Sequence, residues 1–524
     1  MCTSSETRDT DSLTEHSPLK QSVRSRREKG SCDCVAARHV LAIWGFFGFV
    51  NLFTLRVDLS VSLVAMVNNS NNHINNSNQS AQYGNFTWGE GTQGIILGSF
   101  FCGYFTTQIP GGWLAVVVGG KRLFGLGIMV TSLLTLFTPM AASFSLYALI
   151  AVRVLEGAAQ GIAFPSMHTL LGKWAPVWER SRLVSFTYAG GQIGTIITLL
   201  MTGIICDSST LGGWPSTFYI FGAAGFLWSI GWMIFIYDCP AQHPRITKEE
   251  LKYIEDSIGE TSSPFNSSKR TPIPWRKIFL CKGLWAIVAA HMAADWGCFT
   301  MMTCLPQFMK KILKFDLKQD GIISSLPYMV LFLTNTISGP AADYIRGRGL
   351  LSTKATRKLM NSIGLLVPVG FMVSVGYAGH NPTLVIALLC LAIGLNGFTL
   401  AGYSVNHLDI APKYAGLMMS ISNTFGTTTG FIGPAVVGAL TNHNETMAEW
   451  RIFFFITAGV FATGGLVFLF LSEGEPAAWY HELTVQEEQK KLAVNSAADD
   501  KDQKAIYIPD KYRRIGRRAI RSCP

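Results

Sequence analysis

Charge is scarce in this chain. Asp, Glu, Lys and Arg make up 15% of its 524 residues against 49% hydrophobic, and the apolar residues gather in blocks with no even amphipathic pattern. That balance excludes an ordinary soluble domain and leaves a polytopic membrane protein. Metal-ligand spacing is missing too: the 11 cysteines are scattered, mostly inside the blocks, with no CxxC pair, so neither a disulfide framework nor a zinc site is expected. No nucleophile paired with a base and no selectivity-filter sequence stands out, which argues against an enzyme and against a channel. A third absence is local. The stretch 68–90 contains no Lys or Arg at all, whereas Arg24, Arg26, Arg27, Lys29 and Arg38 crowd just before the first apolar block. The net charge of +10 therefore reads as a topology signal and not as a nucleic-acid footprint.

At about 20 apolar residues per crossing, twelve blocks qualify: 40–67, 93–114, 121–142, 145–171, 183–206, 216–237, 283–309, 321–342, 358–379, 382–406, 415–440 and 451–472. An even count puts both termini on one side, and the positive-inside rule makes that side cytoplasmic. The expected fold is an all-α membrane protein of twelve transmembrane helices in two six-helix halves. Its parts are a cytoplasmic tail over 1–37, a first half over 38–237 with an outside loop at 68–90, a cytoplasmic central loop over 238–282, a second half over 283–472 and a cytoplasmic tail over 473–524. In the central loop, the helical spacing of Leu251, Ile254 and Ile258 suggests a short surface helix. GGWLAVVVGGKR after the second span has a counterpart in SGPAADYIRGR after the eighth, and APVWERSR after the fourth echoes APKYAG after the tenth. Such turns at equivalent places fit a duplicated transporter with its site near the midplane between halves.

The chemistry concentrates between residues 145 and 182, where one apolar span carries Arg153, Glu156, Gln160 and His168. An ionisable group at the bilayer centre costs about 2.5 to 3.5 kcal/mol on insertion scales, so such groups face a bundle interior or a wet cavity. Arg153 and Glu156, one turn apart, read either as a structural pair or as a gate in which Glu156 takes a proton when its charge is uncompensated. Arg56 lies deep in the first span, and its planar guanidinium suits a carboxylate or phosphate. Asp58, two residues on, points to nearly the opposite side of the helix and is expected to pair elsewhere in the bundle. His291 and His168 titrate near neutrality, either as proton-coupling groups or as hydrogen-bonded core histidines. In KWAPVWERSR, Glu179, Arg180 and Arg182 suggest a salt-bridged latch on the cytoplasmic face.

Several segments resemble the major facilitator superfamily, and within it the anion symporter family of sialin, the vesicular glutamate transporters and the type I sodium/phosphate cotransporters, with the sialin branch most alike. They are LRVDLSVSLVAMVN at 55–68, GSFFCGYFTTQIPGGWL at 98–114, RVLEGAAQGIAFPSMH at 153–168, KWAPVWERSRL at 173–183, LWAIVAAH at 284–291 and NHLDIAPKYAG at 406–416. The resemblance implies that Arg56 meets the anionic group of the substrate and that Tyr104, Arg153 and Tyr188 line the cavity. It also implies two glutamates one turn apart in the fourth span, tied to proton coupling; here Glu156 is followed by Gln160. The first span reads RVDLS where the family pattern is RVNLS. Ala294 stands where the vesicular glutamate transporters place an arginine, which argues against a dedicated glutamate carrier.

The function expected is proton-coupled symport of small organic anions such as sialic acid, acidic sugars or amino acids by alternating access. Sodium-dependent phosphate cotransport is the alternative from the same family. No cofactor is expected beyond a coupling ion, H+ or Na+, and the partners are the anion and the lipid bilayer, with no nucleic acid and no obligate protein partner. A lysosomal or vesicular membrane and the plasma membrane both stay open, because EHSPLK at 15–20 has one leucine where an acidic dileucine signal needs two.

Four N-x-S/T sequons, at Asn68, Asn75, Asn78 and Asn85, fall in the loop that the charge rule places outside, and a fifth at Asn444 precedes the last span. The sequon at Asn266 falls in the central loop. Replacing the first four asparagines by Gln is expected to remove most of the glycosidase-sensitive mobility shift of the cell-expressed chain. Asn266→Gln should leave the shift unchanged, and a loss there instead would invert the topology.

Overall fold

A computed structural model describes residues 36–67, 86–88, 90–207, 212–258, 273–301, 317–378, 381–441 and 446–486, with isolated positions between and beyond these segments. The five sequons proposed for glycosylation, and Asn266, lie outside the described residues. In the first half the helices are α1 (Ala37–Met66), α2 (Glu90–Val118), α3 (Gly120–Phe144), α4 (Leu146–Gly161), α5 (Ala163–Trp174), α6 (Arg180–Asp207) and α7 (Trp214–Phe235). Two short helices follow, α8 (Lys248–Ile258) and α9 (Trp275–Phe279). The second half holds α10 (Lys282–Asp295), α11 (Leu317–Gly347), α12 (Thr353–Tyr377), α13 (Pro382–Leu395), α14 (Tyr403–Ile410), α15 (Ala415–Thr441) and α16 (Met447–Leu471).

Among the described residues eight spans are long and apolar enough to cross a membrane, counting α4 with α5 and α13 with α14 as one span each. Helices α2, α10, α11 and α15 occupy the other four expected blocks. Large apolar side chains such as Phe47, Phe144, Leu227 and Phe470 point outwards and are more than half exposed, as a lipid-facing surface requires.

Among the described residues three spans are interrupted. The fourth breaks at Ile162 because Pro165 has no N–H to donate to the carbonyl of Gly161 and its ring crowds that turn. The seventh passes from α10 into a π-helical segment, Trp296–Thr300. The tenth passes from α13 through a 3-10 turn, Asn396–Leu400, into α14. Irregular backbone is tolerated at membrane depth only where it is buried in protein or lines a cavity. The positions of these breaks therefore mark where the site should be.

Within the first half α1 packs on α6, α2 on α4 and α3 on α7; within the second, α10 packs on α15 and α16, and α12 on α16. Between the halves, α6 packs on α11, and α15 on both α2 and α5. The duplication inferred from the turns has a backbone counterpart, since Gly119 between α2 and α3 and Gly349 between α11 and α12 both adopt positive φ, 102° and 68°. Both described chain ends lie at one end of the bundle. Arg38 is bonded to Glu179, which precedes α6, and the segment after α16 is held by Asn406 donating to the Glu473 carbonyl and by Ala477 N–H donating to Ile410. The surface helix expected in the central loop is α8, docked there too: Glu250 accepts from the N–H groups of Ala37 and Arg38 at 3.0 and 3.1 Å, capping the start of α1.

Helices α2 and α4 approach backbone to backbone, because a Cβ on Gly157 would run into the Phe100 carbonyl and one on Gly103 into the Val154 carbonyl. Gly157→Leu is therefore an overpacking of the kind that costs about 1 to 3 kcal/mol. The expected result is a lower thermal midpoint for the purified chain in detergent; an unchanged midpoint would mean that the two helices do not meet there.

Candidate functional site

The interrupted segments meet at a cavity between the halves. Phe53 and Arg56 of α1, Tyr104 of α2, Phe164 of α5, and Tyr188 and Gln192 of α6 form one wall. His291, Ala294 and Asp295 of α10, Asn335 of α11, Tyr403 and Ser404 of α14 and Asn423 of α15 form the other. Arg56 is the guanidinium among the lining side chains. Its Cζ lies 4.4 Å from the centre of the Tyr104 ring, 5.0 Å from Phe100 and 5.3 Å from Phe53, so π faces stabilise the charge. Rings accept no conventional hydrogen bond, and Nε and Nη2 are buried without a hydrogen-bond partner. A buried guanidinium with spare donors, facing a cavity, has the chemistry to accept an anion. Asn423 bridges the halves at the same level by donating to the Tyr104 hydroxyl at 3.0 Å.

Of the other residues the resemblance placed on the wall, Tyr104 and Tyr188 line the cavity and Arg153 does not. Arg153 sits behind α2 and donates to Glu156 Oε2 at 2.5 Å. The second Glu156 oxygen accepts from Thr135 and Thr138 at 3.2 and 3.1 Å. The pair is separated from Arg56 by one ring, for the Phe100 centroid lies 5.0 Å from both guanidinium carbons. Gln160 is buried with both amide atoms unpartnered. Asp58 bonds to hydroxyls, from Ser62 of its own helix and Thr202 of α6, and not to Arg56.

The histidines form one connected set. His168 Nε2 and His407 Nδ1 lie 3.2 and 2.9 Å from the Ser404 carbonyl, which can only accept, so both nitrogens carry the proton. His168 Nδ1 then accepts from the Tyr188 hydroxyl. His407 Nε2 and His291 Nδ1 share the Ser422 hydroxyl at 2.8 and 3.0 Å, and His291 Nε2 lies 3.4 Å from Asp295. The Ser404 carbonyl accepts from a histidine of each half and so bridges the halves without relaying a proton. His407 is absent from the sequence expectations; it stands inside NHLDIAP, a segment whose value lay in its likeness and whose own side chains went unweighed.

At the end of the bundle that holds Arg38 and the segment after α16, the halves are tied together by ion pairs and hydrogen bonds. Asp409 receives Arg180 at 3.2 Å and Arg357 at 2.6 Å, all three buried. Arg357 also donates to Ser181 at 2.7 Å, and Arg346 to the Val177 carbonyl at 3.0 Å. Of the three residues expected to act as one latch, the Arg180 side chain reaches Asp409 of the other half at 3.2 Å and the Arg182 backbone N–H donates to Asp343 of the other half at 2.7 Å, while Glu179 binds Arg38 of its own half at 2.8 Å and lies 3.5 Å from the half-exposed Arg182 guanidinium. Asp409, Arg357 and Arg38 complete the arrangement. Their partners are remote in sequence, so no spacing could have joined them. No group of three or more His, Cys, Asp or Glu side chains is placed to hold a metal among the described residues.

The profile described as the Major Facilitator Superfamily matches residues 41–434. Sialin of Homo sapiens is 42% identical over 460 residues, which covers 85% of this chain and 91% of sialin. Vesicular glutamate transporter 1 of Bos taurus is 37% identical over 460 residues, covering 87% and 81%. Among solved structures, a proton:xylose symporter bound to a bromodeoxyglucose superposes with a TM-score of 0.64 at 12% identity, over 85% of this chain and 98% of that one. The Escherichia coli fucose:proton symporter superposes with a TM-score of 0.59 at 12% identity, over 84% and 100%. At that identity the likeness concerns the fold.

Glu179 lies outside the spans. Burial by itself would push its carboxyl up, but the hydrogen bond and charge of Arg38, with Arg182 and His39, outweigh that and hold it below the ordinary value. A carboxylate held low contributes fully above its unfolded value of about 4.3 and loses the contribution as pH falls through the lower folded value. The Arg38–Glu179 pair is thus constant from about pH 5 to 7.5. Glu179→Gln is expected to lower the thermal midpoint while leaving the shape of the pH–uptake profile in that window unchanged. A flattened profile would make Glu179 itself a proton site.

Proposed function

Because this chain belongs to the Major Facilitator Superfamily and is a secondary active transporter of organic anions, we propose that its substrate is a carboxylated solute of the sialic acid, acidic sugar or acidic amino acid class, carried together with protons. Arg56 carries this reading. It is the lining guanidinium, it has buried donors to spare, and its aromatic surround gives a low dielectric in which a carboxylate binds more strongly than in water. Ala294 faces the same cavity, so α10 adds no second cation there, and His291 and Asp295 stand nearby instead. A substrate whose other end is polyhydroxylated matches the amide and hydroxyl groups of Gln192, Asn335, Asn396 and Tyr403.

Proton coupling is assigned to Glu156, held by Arg153 one ring behind the receptor, with His168 and His291 as further candidate sites. Anion arrival beside Arg56 changes the field at Arg153 across Phe100 and thereby the charge balance that Glu156 must meet. Alternating access then requires the Arg180–Asp409 contact to break, since it ties the halves at one end. The protein is a multi-pass membrane protein, and a lysosomal, vesicular or plasma membrane is its proposed place.

Proteoliposomes separate this reading from sodium-coupled phosphate transport. Labelled sialic acid is expected to enter with an imposed proton gradient in sodium-free medium. Arg56→Ala should weaken it by about 10- to 100-fold, the loss of a charge-assisted hydrogen bond of roughly 1.5 to 3 kcal/mol. Phosphate entry only with a sodium gradient, and no organic anion entry, would replace the proposal by the phosphate reading.

A further inference from the structure

Asp58 is a buried carboxyl group surrounded by hydroxyls, with one oxygen unpartnered and no ion pair among the described residues. Asp58, Ser62, Thr202 and Thr217 are all fully buried, and they come from three helices, α1, α6 and α7. Ser62 and Thr202 both approach Asp58 Oδ1, at 3.2 and 3.3 Å. Hydroxyl donors to a carboxylate ordinarily stand at about 2.5 to 2.7 Å. The Thr217 hydroxyl lies 3.0 Å from Ser62 and has an acceptor of its own in the Trp214 carbonyl at 2.9 Å. Asp58 Oδ2 is buried with no hydrogen-bond partner. The side chain of Arg56 faces the cavity instead. The charge of Arg153 reaches Asp58, but its hydrogen bond goes to Glu156. Cys206 of α6 lies beside the cluster.

We propose that Asp58, Ser62, Thr202 and Thr217 form a buried binding site for a dehydrated monovalent cation of the Na+ class. Oxygen ligands around a hard cation at about 2.4 Å stand about 3.4 Å apart where they subtend a right angle. The separations of 3.0 to 3.3 Å among these oxygens are close to such an edge. One carboxylate with hydroxyls balances a single positive charge; a divalent ion would leave an excess charge in the low-dielectric interior. The cation ties the far ends of α1, α6 and α7 together, at the opposite end from Asp409. The site does not depend on which anion is carried.

The test uses the full chain, purified in detergent, and reads binding without transport, so that its failure leaves the anion-symport reading untouched. Radiolabelled Na+ is measured at pH 7.5 against choline at equal ionic strength, alongside the thermal midpoint. Saturable Na+ binding is expected, with a midpoint raised by roughly 3 °C near saturation. Asp58→Asn, which restores the RVNLS pattern of the resembling family and so is compatible with folding, should abolish both, and Ser62→Ala or Thr202→Val should weaken binding about 10-fold. The absence of saturable binding, or binding undiminished in Asp58→Asn, overturns the site. So does stabilisation by acid in place of Na+ that disappears in Asp58→Asn, since Asp58 would then hold a proton.

Discussion

Asp409 receives two guanidiniums, Arg180 from one half and Arg357 from its own, and the closure of one end of the molecule depends on it. Buried charges are costly unless each is matched. A carboxylate between two arginines is over-matched; the carbonyls of Leu408 and Ala401 and the Ser181 hydroxyl take part of the surplus, and Arg180 Nε and Nη2 stay buried without a hydrogen-bond partner. Because these partners belong to different halves, the contact is stable only while the halves are together. One ion cluster shared between the two halves thus ties one end of the molecule together.

Closure alone makes no site. The cavity is furnished where the fourth, seventh and tenth spans depart from regular helix, because a break frees carbonyls and turns side chains that a straight helix would hold against its neighbours. The Ser404 carbonyl shows the effect: just past the 3-10 turn, it collects His168 from the other half and His407 from its own helix. Phe100 serves a different purpose as a thin partition. It keeps Arg56 in the cavity and Arg153 with Glu156 outside it, near enough for one charge to be felt at the other and too far for direct pairing.

Sequence reading reached the membrane class, the twelve blocks, the pairing of Arg153 with Glu156 and the place of Arg56. Apolar block length and helical spacing are local properties. The paired Pro165 and Gly161 were legible in principle as a kink, since a proline inside a span removes a hydrogen bond wherever it sits. The partners that Glu179, Arg180 and Arg182 find outside their own segment, Arg38, Asp409 and Asp343, were not legible, because adjacent residues point in different directions and each partner is set by the packing of another helix. His407 and Asp409 escaped for the same reason.

The sequence by itself determined that this chain lives in a bilayer, where its helices run, and which few ionisable side chains must be matched there, since hydropathy and the cost of a charge in lipid act residue by residue. Tertiary structure alone decided the matches. Arg56 was left with free donors, Arg153 was satisfied, Asp58 was surrounded by hydroxyls in place of a cation, and Asp409 was joined across the halves. Those outcomes depend on which helix faces lie within 3 to 4 Å of one another, a distance that no spacing along one chain specifies.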